Sequence, residues 1–453
     1  MRKKGLFSML VCTCLCVILT AGCSAPQNSG SPSPTAPSET GAGSTGGVET
    51  PLQTDGGENY IPPDWQYDLN VEEDMQYSYN IEDQFIPFWE RNVMYNESAC
   101  FIEENGVISA KLLCTPESII SVRDWSLQNQ YVEGKDYIWD EGTKTLIRPE
   151  GSSIPYFTPG QLAGENEQGE KVPQFNGNYE TDFDEQGRSR FGNALYCIGE
   201  FLYSRQFNVT YTYNPEEFAG PVAEYEGDKL PKTMEKLNNG EELNVVFYGD
   251  SIPYGCDASS LYNREPNQST YPQLFRTALN KIFGSRIRMR NTAVGGMTSA
   301  WGLENIQSEV IKYKPDLAVI LFGGNDDGIG GAKATCQNMR AMIESIRREL
   351  PDCEIIIMGT IVGNEAGGFN TPTLKPLLTD GFKEIAEDFE SVVSIDIYNL
   401  HSYMLESKNY VDSVSYTHLD VYKRQGAARA MAGFLLRKKR RAAPLNGVIY
   451  AFS

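Results

Sequence analysis

The sequence predicts two folded units, an all-β sandwich over residues 63–213 followed by a doubly wound α/β domain over residues 243–412. Three observations predict this. At 453 residues the chain is too long for a single core. Between about Trp65 and Tyr213 it reads as short apolar or alternating runs cut by Gly, Pro and Asp, the rhythm of an all-β unit. From Leu243 onward apolar runs alternate with stretches of helical period, the rhythm of a parallel sheet with helices on both faces.

Residues 1–23 begin with Arg2, Lys3 and Lys4, continue through an apolar run from Leu6 to Leu19, and reach Ala21 and Gly22 before Cys23. This is the layout of an export signal, and the run is short for a membrane span. Residues 24–62 are dominated by Ser, Thr, Pro and Gly. Such a composition cannot offset the entropy of folding, and it predicts a tether. In the β unit the expected strands are Gly106 to Leu113, Ser118 to Val122, Tyr137 to Trp139, Thr145 to Ile147 and Gln206 to Tyr213. The last alternates Phe207, Val209, Tyr211 and Tyr213 with polar residues, as a strand with one buried face does. Residues 214–242 are an acidic connector whose Leu230 to Leu237 predict one short helix.

In the second domain Leu243 to Tyr248, Leu317 to Phe322, Ile355 to Ile361 and Val392 to Ile397 predict buried parallel strands. One-sided apolar spacing predicts the helices between them: Leu274, Ala278 and Ile282; Leu303, Ile306 and Val310; Met339, Ile343 and Ile346; Leu378, Phe382 and Ile385. A further helix is expected at Tyr398 to Leu405.

The balance of 39 Lys+Arg against 60 Asp+Glu, a formal charge of −21, repels a phosphate backbone and excludes nucleic acid as a partner. Of ten cysteines, Cys12, Cys14 and Cys16 fall in the signal. Cys100, Cys114, Cys197, Cys256, Cys336 and Cys353 match no zinc or C-x-x-C spacing. The expectation is buried thiols, with no metal, no cofactor and no disulfide.

Three segments are placed at strand ends of the α/β sheet, where such folds form their ligand crevice. Gly249-Asp250-Ser251 follows the first strand. Asn291-Thr292-Ala293-Val294-Gly295-Gly296-Met297-Thr298-Ser299 is a glycine-containing turn that lets backbone approach a ligand. Phe322-Gly323-Gly324-Asn325-Asp326 follows the strand from Leu317 and brings an amide side chain to the same edge. Each segment alone is unremarkable, since a Ser after a strand is ordinarily a cap and an Asn there a turn former.

Together and in this order they resemble the first three sequence blocks of the SGNH (GDSL-type) hydrolases. The resemblance implies a flavodoxin-like α/β hydrolase domain with Ser251 as nucleophile. It also implies an oxyanion hole made by the Ser251 N–H, the Gly296 N–H and the Asn325 carboxamide. Acyl transfer needs such a set, because preorganised donors must meet the charge that develops on one oxygen. Gly249, Asp250 and Asp326 are expected to shape the turns. With the β-rich unit in front, Y-G-D-S and N-T-A-V-G-G-M-T-S-A-W-G are similar to bacterial carbohydrate esterases that remove acetyl groups from polysaccharide, which implies an acylated carbohydrate as substrate. The string L-T-A-G-C resembles a bacterial lipobox, implying lipidation at Cys23 and attachment to the outer face of the cell membrane. The alternative reading is a non-catalytic surface glycan-binding lipoprotein with a relic hydrolase domain.

The family's fourth block supplies a histidine base, often within D-x-x-H. The two histidines here, His401 and His418, are preceded at that distance by Tyr398 and Ser415. His401 lies in the expected last helix, as a surface or satisfied side chain. His418 lies in Val414 to Gln425, a string resembling one found at the ends of unrelated proteins deduced from metagenome assemblies. Residues 413–453 also reverse the charge of the chain, with eight Lys or Arg against one Asp. The expectation is a native hydrolase domain that ends near Asp412, before its histidine loop, followed by a non-native tail at 413–453.

Overall fold

A computed structural model of the chain describes residues 88–162, 165, 204–222, 225–255, 258–262, 265–328, 330–363 and 374–412. The expected signal with Cys23, the tether and the tail at 413–453, with His418, lie outside the described residues, as do Cys197 and Cys256.

The α/β domain is built on five parallel strands: β8 (Leu243–Gly249), β9 (Ile287–Asn291), β10 (Leu317–Leu321), β11 (Glu354–Met358) and β12 (Val392–Ile395). Their order across the sheet is β12-β11-β10-β8-β9, which in domain order is 2-1-3-4-5, the flavodoxin arrangement. Alternate residues face opposite layers. Val245, Phe247, Val319, Leu321, Ile356 and Val393 pack under α2 (Pro231–Asn239) and α4 (Tyr271–Phe283). Val246, Tyr248, Ile320, Phe322, Ile355 and Ile357 pack under α5 (Ser299–Glu309), α6 (Gly331–Glu349) and α7 (Leu374–Asp388). Burial on both faces is why these strands read as nearly unbroken apolar runs.

Strand ends differ from expectation at two places. β11 stops at Met358, before Gly359, and β12 stops at Ile395, where Asp396 caps α8 (Ile397–Leu405) by accepting the Asn399 N–H at 3.0 Å. β9 was not anticipated, because Ile287-Arg288-Met289-Arg290 interrupts its apolar residues with arginines. It is the edge strand beside β8: Arg288 reaches Glu242 at 3.6 Å and Arg290 lies over the Tyr313 ring at 4.3 Å. The connector helix α2 has no side-chain cap of its own. Glu354, buried in β11, supplies one by accepting the N–H groups of Lys232 and Thr233 at 3.0 and 2.8 Å.

The β domain contains β1 (Val93–Glu104), β2 (Val107–Lys111), β3 (Ser118–Asp124), β4 (Ile138–Trp139), β5 (Thr145–Ile147), β6 (Tyr156–Phe157) and β7 (Gln206–Thr212); a one-turn helix, α1 (Pro159–Leu162), follows β6. Among the described residues these strands form one hydrogen-bonded path, β3-β7-β1-β2-β5-β4, with β6 beside β1, in place of the expected pair of separate sheets. β1 is the reason. Its first part pairs with β7 and its last part with β2 and β6, so one long strand joins both halves. Asn96, at φ 50°, and a register shift between Met94 and Glu97 bend it. The same polar break, Asn96-Glu97-Ser98, hid β1 from an alternation-based reading.

The C-terminal segment of the α/β domain enters the β-domain core. Leu400 and Met404 of α8 share a cluster with Met94, Phe101, Phe207 and Tyr211, and Tyr403 meets Phe218 edge-on at 5.2 Å. Beyond α8, Lys408 is buried and donates to Glu97 Oε1 at 2.8 Å and to the carbonyls of Ser98 and Lys111 at 2.9 and 2.8 Å. Glu97 also accepts from the Leu113 N–H and the Tyr211 hydroxyl. Asp412 accepts the Cys100 N–H at 2.7 Å, and burial pushes its carboxyl above the usual range against the pull of Lys408. Lys408, Glu97 and Asp412 are therefore paired with one another or with backbone, as a dry interior requires of buried charges. The described residues of both domains accordingly fall within one compact unit.

Cys114, Cys336 and Cys353 are free thiols, and the Cys100 thiol donates to the Val411 carbonyl at 3.6 Å. Burial pushes the Cys336 thiol up to about 11 and that of Cys353 up to about 12, which keeps both protonated and unreactive at neutral pH.

Candidate active site

The crevice lies where the sheet order reverses, between β8 and β10, whose following loops depart to opposite sides. Gly249 ends β8 at φ 156°, and a Cβ there would fall 2.0 Å from the Leu321 carbonyl oxygen of β10. Only glycine lets the two strands converge at this point. Gly249→Ala should destabilise the protein by several kcal/mol, about 3 or more, because backbone rather than a mobile side chain blocks the methyl group; a chemical unfolding midpoint equal to wild type would contradict this packing.

Asp250 follows, 1% exposed, with one carboxylate oxygen on the Ile252 N–H at 3.0 Å and the other on the Gly324 N–H at 3.3 Å. It caps α3 (Ser251–Tyr254) and holds the third block against the first. Ser251 thus starts a helical turn, half-buried, and its hydroxyl makes no hydrogen bond among the described residues. It is a nucleophile candidate held by its backbone alone.

The second block is joined to the first by backbone and side-chain bonds. The Val294 N–H donates to the Gly249 carbonyl at 3.0 Å, the Thr292 N–H to Phe247 at 2.9 Å, and Asn291 Nδ2 to the Pro253 carbonyl at 2.7 Å. Asn291 is a site-shaping residue that the motif contained but to which no role was given. Gly296 has φ 79°, a backbone conformation that favours glycine, and a Cβ there would meet no atom within 4 Å.

The third block completes the arrangement. Asn325 is exposed, and its Nδ2 donates to the Met297 carbonyl at 3.0 Å, beside Gly296. A carboxamide has two N–H bonds, so one can dock the side chain while the other addresses a ligand. Asp326 is fully buried; its Oδ1 accepts the Ser299 N–H at 3.0 Å, the Ser299 hydroxyl and the Thr335 hydroxyl at 3.2 Å. Asp250 and Asp326 shape the turns, as expected.

The segments of Ser251, Gly296 and Asn325 are therefore tied together by direct hydrogen bonds at one sheet edge. Tyr254, 45% exposed, and Val294, 39% exposed, flank them and were not singled out from sequence. The described histidine, His401, is on α8 but is not a surface residue: it is 3% exposed and its Nδ1 accepts the Val362 N–H at 3.2 Å. Among the described residues no group of His, Cys, Asp and Glu is arranged to hold a metal ion.

Residues 247–420 match the model of the GDSL-like Lipase/Acylhydrolase family, a span that starts in β8 and includes His418. No curated protein matches the chain. Among solved structures, a two-domain esterase active on acetylated mannans, co-crystallised with mannopentaose, is 18% identical with a TM-score of 0.38; the alignment covers 50% of this chain and 57% of that one. A catalytic mutant of an acetylxylan esterase from Geobacillus stearothermophilus is 18% identical with a TM-score of 0.33, over 43% of this chain and 94% of that one. The three blocks, in family order and bonded together at one sheet edge, all lie within the span that matches this family model, so the α/β domain is similar to the GDSL-type acylhydrolases.

Proposed function

We propose that the protein is a serine esterase that removes acyl groups, chiefly O-acetyl groups, from carbohydrate through an acyl-enzyme. The observation that carries this reading is the hydrogen-bonded union of the Ser251, Gly296 and Asn325 segments. The Ser251 hydroxyl attacks the ester carbonyl while a general base takes its proton, and the carbonyl oxygen becomes an oxyanion. The N–H groups of Ser251 and Gly296 and the second N–H of Asn325 receive that charge. Collapse expels the sugar hydroxyl, and water then releases the acyl group from Ser251 by the same route. His401 does not serve as the base through Nδ1, which already accepts the Val362 N–H. No cofactor enters these steps.

The carbohydrate substrate is supported by the motif likeness and by an exposed aromatic beside the nucleophile, since Tyr254 lies one helical turn from Ser251. A sugar ring can stack on such a face while its acetyl group reaches the serine. The export signal and L-T-A-G-C support attachment at the cell surface through lipid on Cys23, with residues 24–62 giving the catalytic body reach.

With the native sequence restored after Asp412, the protein should release acetate from an acetylated glycan, measured by a coupled acetate assay. Tyr254→Ala should lower kcat/KM about fivefold more for the glycan than for p-nitrophenyl acetate. Absence of release from both substrates would sink the esterase reading; equal effects of Tyr254→Ala on both would sink the sugar platform.

A further inference from the structure

Two of the oxyanion donors sit on separate turns, and their spacing has to be held by something other than the donors themselves. Gly296 precedes α5, and Asn325 follows β10. The Asn325 bond to the Met297 carbonyl is exposed to solvent and uses the same carboxamide that must meet the oxyanion. Asp326 makes the second link and makes it in the interior. Its Oδ1 gathers the N–H and hydroxyl of Ser299, the first residue of α5, and the hydroxyl of Thr335 on α6. Asn338 of α6 adds a bond from Nδ2 to the Ser299 hydroxyl at 3.0 Å. A carboxylate at the start of an eleven-residue helix is also favoured by the helix dipole. The other oxygen, Oδ2, is buried with no donor among the described residues, so the whole hold passes through one atom.

We propose that Asp326 is the positioning residue of the oxyanion hole: by gripping the start of α5 it sets the distance between the Gly296 N–H and the Asn325 carboxamide. This rests on the esterase reading above and assigns Asp326 no contact with substrate. An ionised acceptor holds its donors more firmly than a neutral one, and small displacements of catalytic donors carry large rate penalties. Asp326→Asn keeps an oxygen at Oδ1 and removes the charge, which weakens the grip while preserving shape.

The test is a double-mutant cycle with p-nitrophenyl acetate on the protein with its native sequence restored after Asp412, comparing wild type, Asp326→Asn, Asn325→Ala and the double variant. Asp326→Asn should lower kcat about 10- to 30-fold with KM within about twofold. Asn325→Ala should lower it about 100- to 1,000-fold. Adding Asp326→Asn to Asn325→Ala should cost at most about threefold more, because one of the groups it positions is gone. An unchanged kcat in Asp326→Asn, a change confined to KM, or an equal loss in both backgrounds would overturn the proposal. If Asp326→Asn does not fold, Ser299→Ala, which removes only the hydroxyl from the same link, carries the cycle with an expected loss of about fivefold. If wild type does not turn over the ester, the esterase reading falls separately, and the Asn325 carboxamide resonance in a ¹H–¹⁵N spectrum decides: it should shift in Asp326→Asn, and an unmoved resonance would refute the clamp.

Discussion

Ser251→Ala should lower kcat for p-nitrophenyl acetate by about 10,000-fold or more, with circular dichroism and unfolding midpoint unchanged. The size follows from the chemistry, because without the hydroxyl no acyl-enzyme can form and only the oxyanion donors remain to assist water. The preserved fold follows from the structure. Asp250, not Ser251, caps α3, and the serine hydroxyl holds nothing else in place among the described residues. Hydrolysis by this variant at the wild-type rate would remove Ser251 from the mechanism.

Lys408→Met should have the largest effect on stability, about 3–5 kcal/mol, against a total of about 5–15 kcal/mol for ordinary domains. The substitution leaves Glu97 buried in a site built around a cation, with Oε1 sharing only the Leu113 N–H and the carbonyls of Ser98 and Lys111 stripped of their donor. Pairing it with Glu97→Gln should recover part of the loss, since the stranded charge disappears. Urea unfolding followed by far-UV circular dichroism reads both variants. A midpoint unchanged in Lys408→Met would show that the network is dispensable.

The α/β half was legible because its strands are buried on both faces and its helices on one, so hydrophobic period alone locates them. β9 escaped because an edge strand can spend its alternate positions on Arg288 and Arg290. In the β domain, the short strands at Thr145–Ile147 and Gln206–Thr212 were readable from alternation, whereas β1 was not, since its centre carries the bent Asn96 and the buried Glu97. Glu97 is a strand residue chosen for a partner 311 positions away, Lys408, and no local pattern announces such a pairing. The site shows the same division. Ser251, Gly296 and Asn325 stood out as a motif, while Asn291, Tyr254 and the bonding of Asp326 depend on which side chains three separate loops bring together.

The entry of α8 into the β-domain core bears on how such a protein can be divided. The 214–242 connector invites a cut in a gene, yet a hydrolase fragment released there would present Leu400, Met404 and an unpaired ammonium to water. Recombinant expression of that fragment should favour aggregation. In evolution the two halves would have to travel as a pair, for the front sheet supplies part of the catalytic half's own interior.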